Sequence, residues 1–103
     1  MADVATPLDF SQLPERGVVE GEGVIRSVTF VPPTQPPSFS AMIEEADAAR
    51  PGRGPAIRLF WLGRRRIRGI EAGIPLRFSG MLSMANGEPT IYNPRYEILA
   101  KEE

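Results

Sequence analysis

Residues 57–99 read IRLFWLGRRRIRGIEAGIPLRFSGMLSMANGEPTIYNPRYEIL, and this stretch decides how the chain folds. Its opening, Ile57, Leu59 and Trp61 against Arg58, Phe60 and Leu62, alternates with period two, as a half-buried strand does. A second alternation sets Leu76, Phe78, Gly80 and Leu82 against Arg77, Ser79, Met81 and Ser83. Asn86-Gly87 then supplies the pair of residues that tight hairpins favour. A last strand follows and is broken at Asn93-Pro94, because proline cannot donate to a ladder. These signals predict strands over 56–62, 75–84 and 89–99. The connector 63–73 between the first two has room for one helical turn.

Working outward, Val19, Gly21, Gly23 and Ile25 alternate with Glu20, Glu22, Val24 and Arg26, which predicts a strand over 18–31. Its two inward glycines suit a strand that must coil sharply. The segment Pro32-Pro33-Thr34-Gln35-Pro36-Pro37 ends that strand and is expected to be a stiff, extended loop. Phe39, Ala41 and Ile43 against Ser40, Met42 and Glu44 predict a strand over 38–45, followed by a loop over 46–55. Residues 1–17 are expected to form a flexible arm, 18–100 the folded domain and 101–103 a disordered tail. Five short strands without a long helix predict an all-β chain closed, or nearly closed, into a barrel, which also removes exposed strand edges. Ile25, Ile43, Leu59, Phe78, Leu82 and Ile98 are expected in its core.

With 103 residues the chain has room for one modest core. The absence of cysteine and histidine removes disulfides, makes a transition-metal site improbable and takes away the commonest general base. No signal-peptide pattern opens the sequence and no apolar run approaches a membrane span, so a cytoplasmic protein is expected. The formal charge of −1 conceals strong sorting. Between positions 50 and 77 lie eight arginines and a single acid, Glu71. A basic face is therefore expected on a nearly neutral chain.

Glu22-Gly23 with Ser27-Val28, the run from Leu59 to Ile70, Gly73, Gly80, and Tyr92-Asn93-Pro94-Arg95-Tyr96-Glu97 carry a resemblance. The chain resembles the wedge domain of RecG-type DNA helicases, and more closely small stand-alone bacterial OB-fold proteins with a similar Trp-Leu-Gly-Arg-Arg-Arg-Ile segment. The resemblance spans roughly residues 18–99 and is weak across 32–56. It implies a five-stranded OB-fold Greek-key barrel that contacts nucleic acid. It does not extend to a motor, because a phosphate-binding loop needs a Gly-Lys-Ser/Thr step and the single lysine is Lys101. Any ATP-driven work falls to a protein partner.

Aromatic faces beside guanidinium groups suit single-stranded nucleic acid, whose bases need stacking partners and whose phosphates need cations. The expected nucleic-acid contacts are Arg58, Phe60, Arg64, Arg65, Arg66, Arg68, Arg77 and Arg95. Two readings of Phe60 stand side by side: an outward stacking platform, or a ring covered by the arm or by the 46–55 loop. Trp61 has core parity, and Tyr96 is expected in the core with its hydroxyl at the rim. Arg95 is open to a salt bridge with Glu97 or Glu22. Glu44, Glu45 and Asp47 are read as a solvated strand end rather than a cation site, and the Pro33-x-x-Pro36 spacing as a rigid loop rather than a ligand. A monomer without cofactor, metal or catalysis is expected, binding single-stranded or junction DNA, or RNA. The alternative is a protein-interaction module that docks the same barrel on a partner.

Overall fold

The computed structural model describes residues 8–48 and 51–99. The expected tail lies outside them, as do residues 1–7 of the arm and 49–50 of the second loop. Every regular element among the described residues is a strand: β1 (Gly17–Phe30), β2 (Ser38–Glu44), β3 (Ala56–Leu62), β4 (Pro75–Ala85), β5 (Glu88–Tyr92) and β6 (Arg95–Ile98). None of the described residues forms a helix long and apolar enough to cross a membrane.

The strands form one sheet whose pairings return on themselves. β1 pairs with β2, β2 with β3, β3 with β5, β5 with β4, and β4 with β1 again, a barrel-like ring of five strands. All contacts in it are antiparallel except β3 with β5. β1 serves both halves, pairing with β4 over its first part and with β2 over its second. The change comes at a bulge, where Ile25 faces Ile43 but Ser27 faces Met42, leaving Arg26 as the extra residue. Just before it, a side chain at Gly23 would collide with the Glu44 carbonyl, so the strand can cross there only without a Cβ.

The core lies inside the ring. Ile25, Ile43, Leu59, Phe78 and Leu82 are buried there as the alternation predicts, together with Phe39, Ile57, Leu76 and Ile91. Each fully buried aliphatic side chain of this kind contributes about 1.5–3 kcal/mol. The turn between β4 and β5 has Asn86 at φ 55° and Gly87 at φ 79°, the two left-handed conformations that a tight hairpin requires.

Several expectations need correction. The strand expected over 89–99 is two strands, because Asn93 takes φ 53° and Pro94 offers no donor. β5 therefore lies between β3 and β4, while β6 pairs further along β4. On that outer strand Ile98 is 43% exposed and Tyr96 41% exposed rather than in the core. The proline segment is not extended; the Gln35 amide donates to the Pro32 carbonyl and folds it into a turn. The connector 63–73 holds turns and no helix, yet Ile67 and Ile70 within it are buried.

Segments outside the ring also reach the core. Phe10, in the part of the chain read as an arm, is buried edge-on against Phe78, with ring centroids 6.1 Å apart. Its amide donates to the Glu45 carboxylate at 2.8 Å. Glu44 is not solvated but buried. Its carboxylate accepts from Arg26 at 3.0 Å and from the Gly52 amide at 2.8 Å, tying the second loop to the bulge. The acids at the end of β2 thus hold neighbouring chain segments in place.

Candidate nucleic-acid interface

Three of the strand arginines, Arg26, Arg58 and Arg77, are engaged with carboxylates. Arg77 donates through Nε and Nη2 to one Glu22 oxygen at 2.9 and 2.7 Å, and through Nη1 to Glu97 at 3.2 Å. The hydrogen bond to Glu22, and then its charge, hold this guanidinium above its ordinary pKa. Arg58 reaches Glu88 at 3.1 Å from the outward side of β3. Arg26 joins Glu44 and also donates to the Gly54 carbonyl at 2.7 Å. Arg95 is exposed at a shallow hollow shared with Glu20, Arg77 and Tyr96. The acids once open to it, Glu22 and Glu97, pair with Arg77 instead.

The connector arginines behave differently. In the order Arg64-Arg65-Arg66-Ile67-Arg68-Gly69-Ile70, the isoleucines anchor the segment in the core and the guanidinium groups stay outside. The Ile70 amide donates to the Ile67 carbonyl, closing the turn that brings the two anchors together. At its apex Gly69 takes φ 86° with Ile98 packed against it, so no other residue fits there without strain. Arg65 donates to the carbonyls of Pro32, Pro33 and Gln35 at 3.3, 3.2 and 3.0 Å and so pins the proline turn to the connector. Among the described residues, Arg64, Arg66 and Arg68 join no ion pair.

These three arginines border a groove of about 590 Å³ between the connector and the ends of β1 and β2. Its floor is apolar, with Val28, Phe39, Ile67 and Ile70. Phe30 stands at its edge, 53% exposed, with the Arg66 guanidinium 5.4 Å from the ring centroid. Phe30 also begins an aromatic row that runs to Phe39, Trp61 and Tyr96, with successive centroids 5.5, 5.9 and 5.7 Å apart. Trp61 is buried in that row, in agreement with its parity.

Phe60 lies elsewhere, on the outward side of β3 with Arg58, half-buried beside the Tyr92 ring at 5.5 Å. The Asn93 amide donates to the Phe60 carbonyl, and the Asn93 side chain accepts from the Leu62 amide, fixing Tyr92 at that spot. Two aromatic surfaces therefore exist. One is neutralised by the Arg58–Glu88 pair; the other carries unpaired guanidinium groups.

The candidate residues that come together are Arg64, Arg66 and Arg68; Arg58, Phe60, Arg77 and Arg95 are not part of that groove. Phe30, Ile67 and Ile70 complete it, and sequence reasoning did not single them out. The three-residue spacing of Ile67 and Ile70 within a basic run was the available signal for two of them. For Phe30 no such signal existed, because the bulge at Arg26 reverses the parity that simple alternation would assign. No protein-family model, curated protein or solved structure matches this chain.

Proposed function

We propose that the chain is a non-catalytic, nucleic-acid-binding OB-fold module of the kind appended to RecG-type helicases, working in the cytoplasm on single-stranded or junction DNA or on RNA. The ring order β1-β2-β3-β5-β4 with a parallel β3–β5 contact supports the OB-fold assignment, since that fold is a five-stranded Greek-key barrel. The observation that carries the functional reading is the set of unpaired Arg64, Arg66 and Arg68 around an aromatic-edged groove. Guanidinium groups free of carboxylates can exchange their counterions for phosphates, and an exposed ring beside them can stack a base. The chain brings no phosphate-binding loop, so ATP-driven remodelling is left to a partner. Titrating labelled single strands, forks and RNA at low salt tests this reading. Binding is expected, and failure to bind any of them would contradict it.

A protein-docking role is favoured by a different observation. Val18 and Met81 are cross-strand partners on β1 and β4, and they are 77% and 52% exposed. Changing both to serine should abolish capture of a partner protein while leaving strand binding intact.

A further inference from the structure

Glu71 is the one acid that lines the arginine groove, and among the described residues it joins no ion pair. Four acids near the strand arginines, Glu22, Glu44, Glu88 and Glu97, are engaged by them, while Glu20 shares a hollow with Arg77 and Arg95 without an ion pair. A carboxylate beside a phosphate track repels the backbone but can accept hydrogen bonds from a base. We propose that this groove seats a guanine base and that Glu71 selects it, an inference that rests on the nucleic-acid reading above.

The chemistry of the lining separates the bases. Guanine presents N1–H and N2–H₂ side by side, matching the two oxygens of a carboxylate. Adenine and cytosine offer one amino group next to a ring acceptor that faces the carboxylate unfavourably. Thymine and uracil offer a single N–H between two carbonyls. Guanine's other edge carries O6 and N7, the pair that a guanidinium recognises most often, and Arg64, Arg66 and Arg68 border the same cavity. Phe30 supplies a face for stacking, and about 590 Å³ lies within the range of small-molecule sites. The guanine belongs either to a strand or to a free mononucleotide.

The test compares short thymidine strands carrying one central guanine or one inosine, which differ only in the N2 amino group. Wild-type protein should bind the guanine strand roughly tenfold more tightly. In Glu71→Ala that ratio should fall to about one, while affinity for the all-thymidine strand rises because a repelling charge has gone. Unlabelled GMP then separates the sources. Displacement at concentrations comparable with the strand assigns the groove to free nucleotide, and displacement only in large excess assigns it to a strand. Equal binding of guanine and inosine strands, or a ratio that survives in Glu71→Ala, overturns the proposal and leaves the nucleic-acid reading standing. A wild-type protein that binds neither any strand nor GMP overturns both.

Discussion

Arg77 and Arg66 are both exposed, yet they belong to different electrostatic worlds. Arg77 stands on β4 between Glu22 of β1 and Glu97 of β6, strands that pair with β4 on either side. Arg66 stands on a connector whose neighbouring positions are arginines and isoleucines, with an aromatic ring against it and, among the described residues, no carboxylate paired to it. The difference follows from architecture. A sheet brings cross-strand neighbours to about 5 Å, so a strand arginine readily finds an acid. A connector anchored by Ile67 and Ile70 holds its charged residues away from such neighbours. Arg26, Arg58 and Arg77 therefore maintain the ring, and Arg64, Arg66 and Arg68, which join no ion pair among the described residues, are free to meet a ligand.

The largest effect that could break this comparison lies at the bulge. Glu44→Ala should destabilise the protein by about 3 kcal/mol, because it leaves a largely buried Arg26 without its carboxylate and the Gly52 amide without an acceptor. Urea unfolding checks this, and affinity for single strands should not change while the protein is folded. A stability unchanged by Glu44→Ala would mean that this strand arginine is as independent as those of the connector.

Next comes stacking. Phe30→Ala should cost about 1–3 kcal/mol of binding with little change in its salt dependence, since the ring contributes contact and not charge. Phe60→Ala should cost less, because Tyr92 and Arg58–Glu88 already occupy its surroundings. Fluorescence titrations of the two variants decide which aromatic surface is used. A larger loss at Phe60 would move the site to the outward face of β3.

A smaller effect is expected at Arg65. It lies within the basic run, but its donors are spent on the carbonyls of the proline turn. Arg65→Lys should loosen residues 32–35, visible as altered amide shifts there, and should leave the slope of affinity against salt nearly unchanged. A slope reduced as much as by an Arg64 change would place Arg65 among the phosphate contacts.

Much of the ring was legible because alternation survives wherever a strand is regular. Leu59, Phe78 and Leu82 point inward by simple parity, and Asn86-Gly87 marks its own turn. Parity failed at Arg26, where one extra residue shifts the later part of β1 and brings Phe30 onto the Phe39 row. It failed again at Ile98, since the break at Asn93-Pro94 separates β6 from β5 and β6 pairs further along β4, beyond the five-strand ring. At the site, the basic character of the connector was plain, but which guanidinium groups stay free was not. Pairing depends on neighbours distant in sequence, as Arg77 with Glu22 shows. Glu44 looked like a strand end in water for the same reason, its partner being Arg26 across the bulge.

The central claim is that pairing sorts these arginines into structural and ligand-binding sets, and a salt titration of two double variants tests it most directly. Affinity for one labelled single strand is measured against salt for wild type, for Arg64→Ala with Arg66→Ala, and for Arg58→Ala with Arg77→Ala. The connector pair should flatten the slope of log affinity against log salt by roughly 1.4, the loss of two phosphate contacts at about 0.7 each. The strand pair should leave the slope at its wild-type value. An equal flattening by both pairs, or a flattening by the strand pair alone, would contradict the account.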